Sequence, residues 1–237
     1  HAAVLGDRFA AVEEVGRCIA EAEALIEPDW PAMSRVRLEL ARSRWFDLQG
    51  RYEESLAAAQ RHADICLASG NEDGSHYAMS NVVGALLALG RYETALAQAR
   101  TSIARLEVLG GAAGAGHLWV AAMVAELLLG DLDAARASGR AAYALLLREG
   151  DEVRTLRPLA LLLLRSGRPA DAARLVGYAD ALERRAGIAR SAGHAIVREA
   201  LHAELAAVLD AGEIARLGAE GAALGEADVM RLALELT

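Results

Sequence analysis

The chain has 237 residues, of which 54 % are hydrophobic and only 4 % aromatic, and its formal net charge is −8. That charge disfavours a grip on nucleic acid, because neutralising phosphates takes a basic face. All 25 basic residues are arginine, which excludes a Walker-type phosphate loop, a Schiff-base lysine and a catalytic Ser-Lys pair together. Alanine and leucine dominate the apolar fraction, and few β-branched runs compete for strands, so the expected fold class is all-α. No apolar run reaches the roughly 18 residues of a membrane span, and no basic-then-apolar leader is visible. The expected location is cytoplasmic. Cys18 and Cys66 fall in separate predicted helices without paired spacing and read as buried, reduced thiols.

In chain order, residues 9–25 read as a helix entered through Gly6-Asp7-Arg8. Pro28 and Pro31 break it, and Pro31 suits a first helical turn. Helices are expected over 32–48 and 52–69, then a polar loop 70–75 with Ser75 as N-cap. The pair 76–89 and 92–109 leads into a glycine-rich stretch, 110–116, that reads as a linker or an effector-contacting hinge. Helices at 117–129 and 132–147 follow. In the next pair Pro158 is expected to kink the first helix or delay its start, and its partner spans 169–186. Beyond Gly187 three helices are expected, at 194–209, 210–221 and 226–236.

One short pattern recurs at the helical corners. It stands as Gly50-Arg51-Tyr52-Glu53-Glu54-Ser55, Gly90-Arg91-Tyr92-Glu93-Thr94-Ala95, Gly130-Asp131-Leu132-Asp133-Ala134-Ala135 and Gly167-Arg168-Pro169-Ala170-Asp171-Ala172, with a fainter copy from Gly6. The spacings are 44, 40, 40 and 37 residues. Each glycine ends one helix, the ring or apolar residue packs into the corner, and the small residue admits the next helix. A repeated helix-turn-helix follows, with four complete pairs and a half pair at the start.

Gly-x-Tyr-x-x-Ala between helices resembles the tetratricopeptide (TPR) repeat, here with a period longer than the usual ~34 residues. Long-helix arrays of this kind are similar to the C-terminal sensor regions of large ATPase-containing bacterial transcriptional regulators of the STAND/LuxR type. The stretch 172–182 and the ending around Glu220-Gly221 are similar to the segment that closes such regions, although Leu217-Gly218 replaces the family's usual aromatic. The resemblance implies an α-α superhelix over 1–186 with a capping segment over 187–237. It also implies a segment of a longer protein, with a neighbouring ATPase module as partner. The alternative is a free-standing TPR scaffold that binds peptides or assembles a complex.

In TPR arrays the first helix of each pair lines the concave face. Counting back from each turn glycine places Arg37, Leu40, Arg44 and Asp47 there, then Tyr77, Ser80, Gly84 and Leu87. His117, Val120, Val124 and Leu127 follow, then Arg154, Arg157, Leu161 and Leu164. The candidate site is therefore Arg37, Arg44, Asp47, Tyr77, Ser80, His117, Arg154 and Arg157. Arginine forks suit carboxylates or phosphates, so the expected partner is a protein or peptide, or a small anionic effector. The other reading has these arginines solvated or held by acids such as Glu39. Lysine and asparagine, which a clamp for chaperone termini requires, are absent from Leu40, Arg44, Ser80, Gly84, Val120 and Val124.

No cofactor, no membrane and no direct nucleic-acid contact is expected. No nucleophile, paired-carboxylate or Cys-x-x-Cys arrangement points to an enzyme. His194, Arg198 and His202 share a helix face, but arginine holds the position where a second metal-binding histidine would stand. Trp30, Trp45 and Trp119 read as core or groove aromatics. Val12, Val15 and Ile19 are expected on an uncovered face, through which two copies of the chain would associate as a homodimer.

Overall fold

A computed structural model describes residues 2–27, 29–108, 114–186 and 193–234. Among them run twelve helices and no strand: α1 (Ala2–Leu25), α2 (Ala32–Leu48), α3 (Tyr52–Ala68), α4 (Glu72–Ala88), α5 (Tyr92–Val108), α6 (Ala115–Leu129), α7 (Leu132–Glu149), α8 (Val153–Arg165), α9 (Pro169–Ala186), α10 (Gly193–Val208), α11 (Ala211–Ala222) and α12 (Glu226–Leu234).

The helices stop where the turn glycines stand. At Gly90 the backbone takes φ 72°, a left-handed conformation that a Cβ would oppose. Its N–H bonds the carbonyl of Leu87 at 3.0 Å, and the next N–H, of Arg91, bonds that of Leu86 at 2.9 Å. Two of the last carbonyls of α4 are thereby satisfied. The same pair of bonds recurs at Gly50, Gly70, Gly130, Gly150 and Gly167, so six helix ends share one geometry. Asn71, Asp131 and Asp210 cap the starts of α4, α7 and α11 through their side-chain oxygens.

Two expectations about boundaries are corrected, at Gly6 and at Ser75. Gly6 makes no turn, and α1 runs through it. Helix-forming residues flank it on both sides, and one helical glycine costs only about 1 kcal/mol. Ser75 is not a cap: Asn71 accepts from Gly74 N at 3.0 Å, starting α4 four residues earlier and burying Ser75 inside it. Pro158 lies inside α8, which begins five residues ahead of it. Residues 110–113 of the glycine-rich stretch lie outside the described residues, while Gly114 caps α6 and Ala115 and Gly116 open it.

Consecutive helices from α1 to α9 pack on one another, and α2, α4, α6 and α8 also touch in series. A single apolar core runs from Ala59 in α3 to Val229 in α12. Its densest part is α8, where Leu156 and Leu159–Leu164 are all buried. A helix buried without a break from Thr155 to Leu164 needs neighbours all round. Here α6, α7, α9 and α10 provide them. Each enclosed leucine contributes about 1.5–3 kcal/mol of transfer free energy.

The last three helices divide. α11 and α12 pack on α9, whereas α10 lies along α8 and reaches back to α4. Val197, Leu201 and Leu205 of α10 are buried. Arg165 of α8 grips Glu204 of α10 with Nε at 3.2 and 3.1 Å and Nη2 at 2.6 Å, and donates from Nη1 to the carbonyl of Leu127 in α6. At the other end α1 packs on α2. Trp45 donates from Nε1 to Val12 O at 2.9 Å and lies against the bare backbone of Gly16. Ile19 is buried, contrary to expectation, while Val15 remains 41 % exposed. Cys66 is buried and its thiol is pushed up by burial, but Cys18 is exposed, correcting its expected burial.

Candidate functional site

The layer α2, α4, α6, α8 opens into a groove of about 440 Å³. Helix α2 contributes Ser43, Arg44, Asp47 and Leu48, with Ser55 from the start of α3 beside them. Helix α4 contributes Tyr77, Ser80, Asn81, Gly84, Ala85 and Leu87. His117, Val120, Ala121 and Val124 come from α6, and Arg154 from α8. The helical repeat explains the choice, since residues three or four apart share a face. Register counted from the glycine corners therefore carries across four helices.

Six of the eight candidate residues meet in this groove: Arg44, Asp47, Tyr77, Ser80, His117 and Arg154. Arg37 and Arg157 do not line it. Arg37 is exposed on α2. Arg157 is 5 % exposed and faces α9, where Nε and Nη2 each donate to Glu183 at 3.0 Å and Nη2 also donates to Asp180. Burial alone would lower its pKa, but the bonds and charges of those two carboxylates outweigh burial and raise it. Its role is to join α8 to α9. Glu39 is also engaged elsewhere, by Arg42 and by Arg61 at 2.9 Å.

The groove's two ends differ. At one end Arg44 donates from Nη2 to the hydroxyl of Tyr77, with its Cζ 6.0 Å from that ring's centroid. The Tyr77 ring is met edge-on by buried His62, centroid to centroid 6.4 Å. His62 is pushed below its ordinary pKa by burial, against the opposing charge of Glu39. At the other end Asp151 accepts from Arg154 Nε at 2.5 Å and lies 3.1 Å from His117 Nε2, so these three groups satisfy one another. The middle is apolar, with Val120 and Val124 buried, and α4 offers the bare backbone of Gly84. A Cβ built on Gly84 would meet nothing within 4 Å.

Sequence reasoning missed Ser43, Ser55 and Asn81. The two serines bond each other across the α2–α3 corner at 3.2 Å, and Ser55 Oγ also donates to Ser43 O at 2.9 Å. The signal for Ser55 was its place in the corner motif, where other copies carry alanine. Asn81 stands one residue past the counted Ser80. None of the three tryptophans lines the groove.

Among the described residues no group of three or more His, Cys, Asp or Glu side chains is placed to hold a metal ion. His202 is exposed, and the side chain of His194 lies outside the described residues. No described helix is long and apolar enough to cross a membrane. No protein-family model matches the chain, and no curated protein matches it at a significant level.

Proposed function

We propose that this chain is a non-catalytic binding region of TPR-like architecture, serving as the sensor part of a cytoplasmic bacterial transcriptional regulator that carries an ATPase module. The convergence of Arg44, Asp47, Tyr77, Ser80, His117 and Arg154 on one groove carries the reading. These residues come from four helices spread over more than a hundred positions, and a purely structural layer has no need to collect polar groups around an open space. The contacts of α2 with α4, α4 with α6 and α6 with α8 are those an α-α superhelix makes along its inner side. A groove of about 440 Å³ falls within the ~300–1,000 Å³ of small-molecule sites and also admits a short peptide segment. On this reading residues 1–186 form the repeats and 187–237 the closing segment, and occupancy of the groove is what the regulator senses.

A thermal-shift screen of metabolites and short peptides tests it, run in parallel on the wild type and on Gly84→Trp, which fills the groove. Ligands that raise the melting temperature of the first and not the second support the reading. A screen in which every stabilising ligand acts equally on both proteins overturns it.

A further inference from the structure

We propose that the groove accepts an arylalkanoate, a flat aromatic ring joined by a short alkyl spacer to one carboxylate, the ring lying on Gly84 and the carboxylate at Arg44. The proposal rests on the groove being the binding site and deepens it by naming the ligand's chemistry.

Gly84 is the first observation. A glycine inside a helix costs roughly 0.5–1 kcal/mol relative to alanine, so its presence calls for a cause. Packing supplies one at three other helical glycines: a Cβ on Gly16 would stand 2.8 Å from the Trp45 ring, one on Gly116 2.7 Å from Leu146, and one on Gly177 2.0 Å from a backbone oxygen. At Gly84 the space is open and the fold makes no such demand. What the missing side chain leaves is a flat strip of backbone, bordered by Ala85 and faced by Val120, Ala121 and Val124. A plate-like apolar group can lie flat there, where a Cβ would hold it off.

Arg44 is the second. It is exposed, and its bond to Tyr77 goes to a neutral hydroxyl, a contact that does not neutralise its charge. The same hydroxyl carries its own proton and can donate to an anion beside the guanidinium, and His62 fixes the ring that bears it. Charge-assisted bonds of this kind are about twice as strong as neutral ones. At the far end Arg154, Asp151 and His117 already satisfy one another, which leaves the Arg44 end, with Asp47 one turn along α2, as the place for a single anionic group.

The spacing sets the spacer. Tyr77 and Gly84 are seven residues apart on one helix face, about 10 Å along the axis. The long side chain of Arg44 spans part of that distance, and a few methylenes span the rest.

The probes are 4-phenylbutyrate, its neutral amide, octanoate, and the peptide acetyl-Ala-Ala-Phe with a free carboxylate, titrated by calorimetry at low salt. The wild type is expected to bind 4-phenylbutyrate at least tenfold more tightly than the amide and several-fold more tightly than octanoate. Arg44→Gln is expected to remove the advantage over the amide. Gly84→Ala is expected to raise the melting temperature yet weaken 4-phenylbutyrate several-fold, a combination that damage to the fold cannot produce. Comparing 4-phenylbutyrate with the peptide tells a free ligand from a chain terminus of the same chemistry, and binding of either supports the proposal. Equal binding of acid and amide, unchanged affinity in a stabilised Gly84→Ala, or no binding by any probe at millimolar concentration overturns it. In that last case ligands found by the wider screen and lost in Gly84→Trp leave the groove reading standing.

Discussion

Gly177 of α9 and Gly218 of α11 cross so closely that a Cβ on Gly177 would stand 2.0 Å from the carbonyl oxygen of Gly218. One turn along each helix, a Cβ on Gly221 would stand 1.8 Å from Arg174 O. Both obstructing atoms are backbone, so no rotamer change relieves the clash. Gly177→Ala and Gly221→Ala are each expected to cost at least the 1–3 kcal/mol typical of overpacking, roughly, with α11 displaced from α9. Gly218→Ala, whose Cβ position is open, should be neutral or stabilising by up to about 1 kcal/mol. Urea midpoints of the three variants check this, and a Gly177→Ala midpoint equal to wild type would refute the close crossing.

The two arginines counted onto one face of α8 should behave oppositely. Arg157→Ala removes the guanidinium's bonds to Glu183, whose side chain is 14 % exposed, and to Asp180, which is half in solvent. Breaking a fully buried pair costs about 3–5 kcal/mol, and the partial exposure of Asp180 brings the expected loss to roughly 2–3. Arg154 keeps 38 % of its side chain in solvent, so Arg154→Ala is expected to stay within about 0.5 kcal/mol. Equal losses in thermal melts of the two variants would remove the distinction.

Alkaline pH should act through a buried tyrosine. Burial first, then Glu152, Tyr178 and Glu226, push the Tyr143 hydroxyl up to about 12 from its ordinary 10.0. The unfolded chain thus gives up this proton before the native state does. Stability is fully present below pH 10 and is lost as pH rises towards 12, at up to about 1.4 kcal/mol per pH unit for one such group. Tyr178 is raised as well, chiefly by burial, and adds in the same direction. Denaturant midpoints between pH 9 and 12 should fall less steeply for Tyr143→Phe than for wild type. Parallel slopes would assign the loss to other groups.

Helix α10 is expected to be integral to the fold. Leu201 is 1 % exposed in the contact with α8, and Leu201→Ala should cost about 2–5 kcal/mol. Removing residues 187–237 would uncover the buried leucines of α8 and give an aggregating or partly unfolded product. A truncated chain that stays monomeric in light scattering and melts with the parent would show the segment to be an appendage.

Much of this was legible in the sequence because glycine corners fix register. Gly50, Gly90, Gly130 and Gly167 each end a helix, and counting back from them found most of one groove. Arg157 escaped the count because the residues around α8 are covered from several sides, and the position counted towards the groove meets carboxylates of α9 instead. Gly6 escaped because a glycine does not by itself end a helix, and the helix-forming residues on both sides carry α1 through it. The course of α10 was not legible at all. Its apolar positions announce a buried face, but nothing local says that the face belongs to α8 and α4.

That course has a consequence for how the molecule comes apart. In a stack whose units touch only their neighbours, unfolding can begin at one end and halt part-way, leaving a shorter stack intact. A helix resting on both α8 and α4 turns the row into a loop of contacts, so that losing the C-terminal layer also strips a surface near the middle. Intermediates with frayed ends are then penalised twice. Hydrogen exchange should show α4 and α8 opening together, as one cooperative unit, although three helices separate them in the chain.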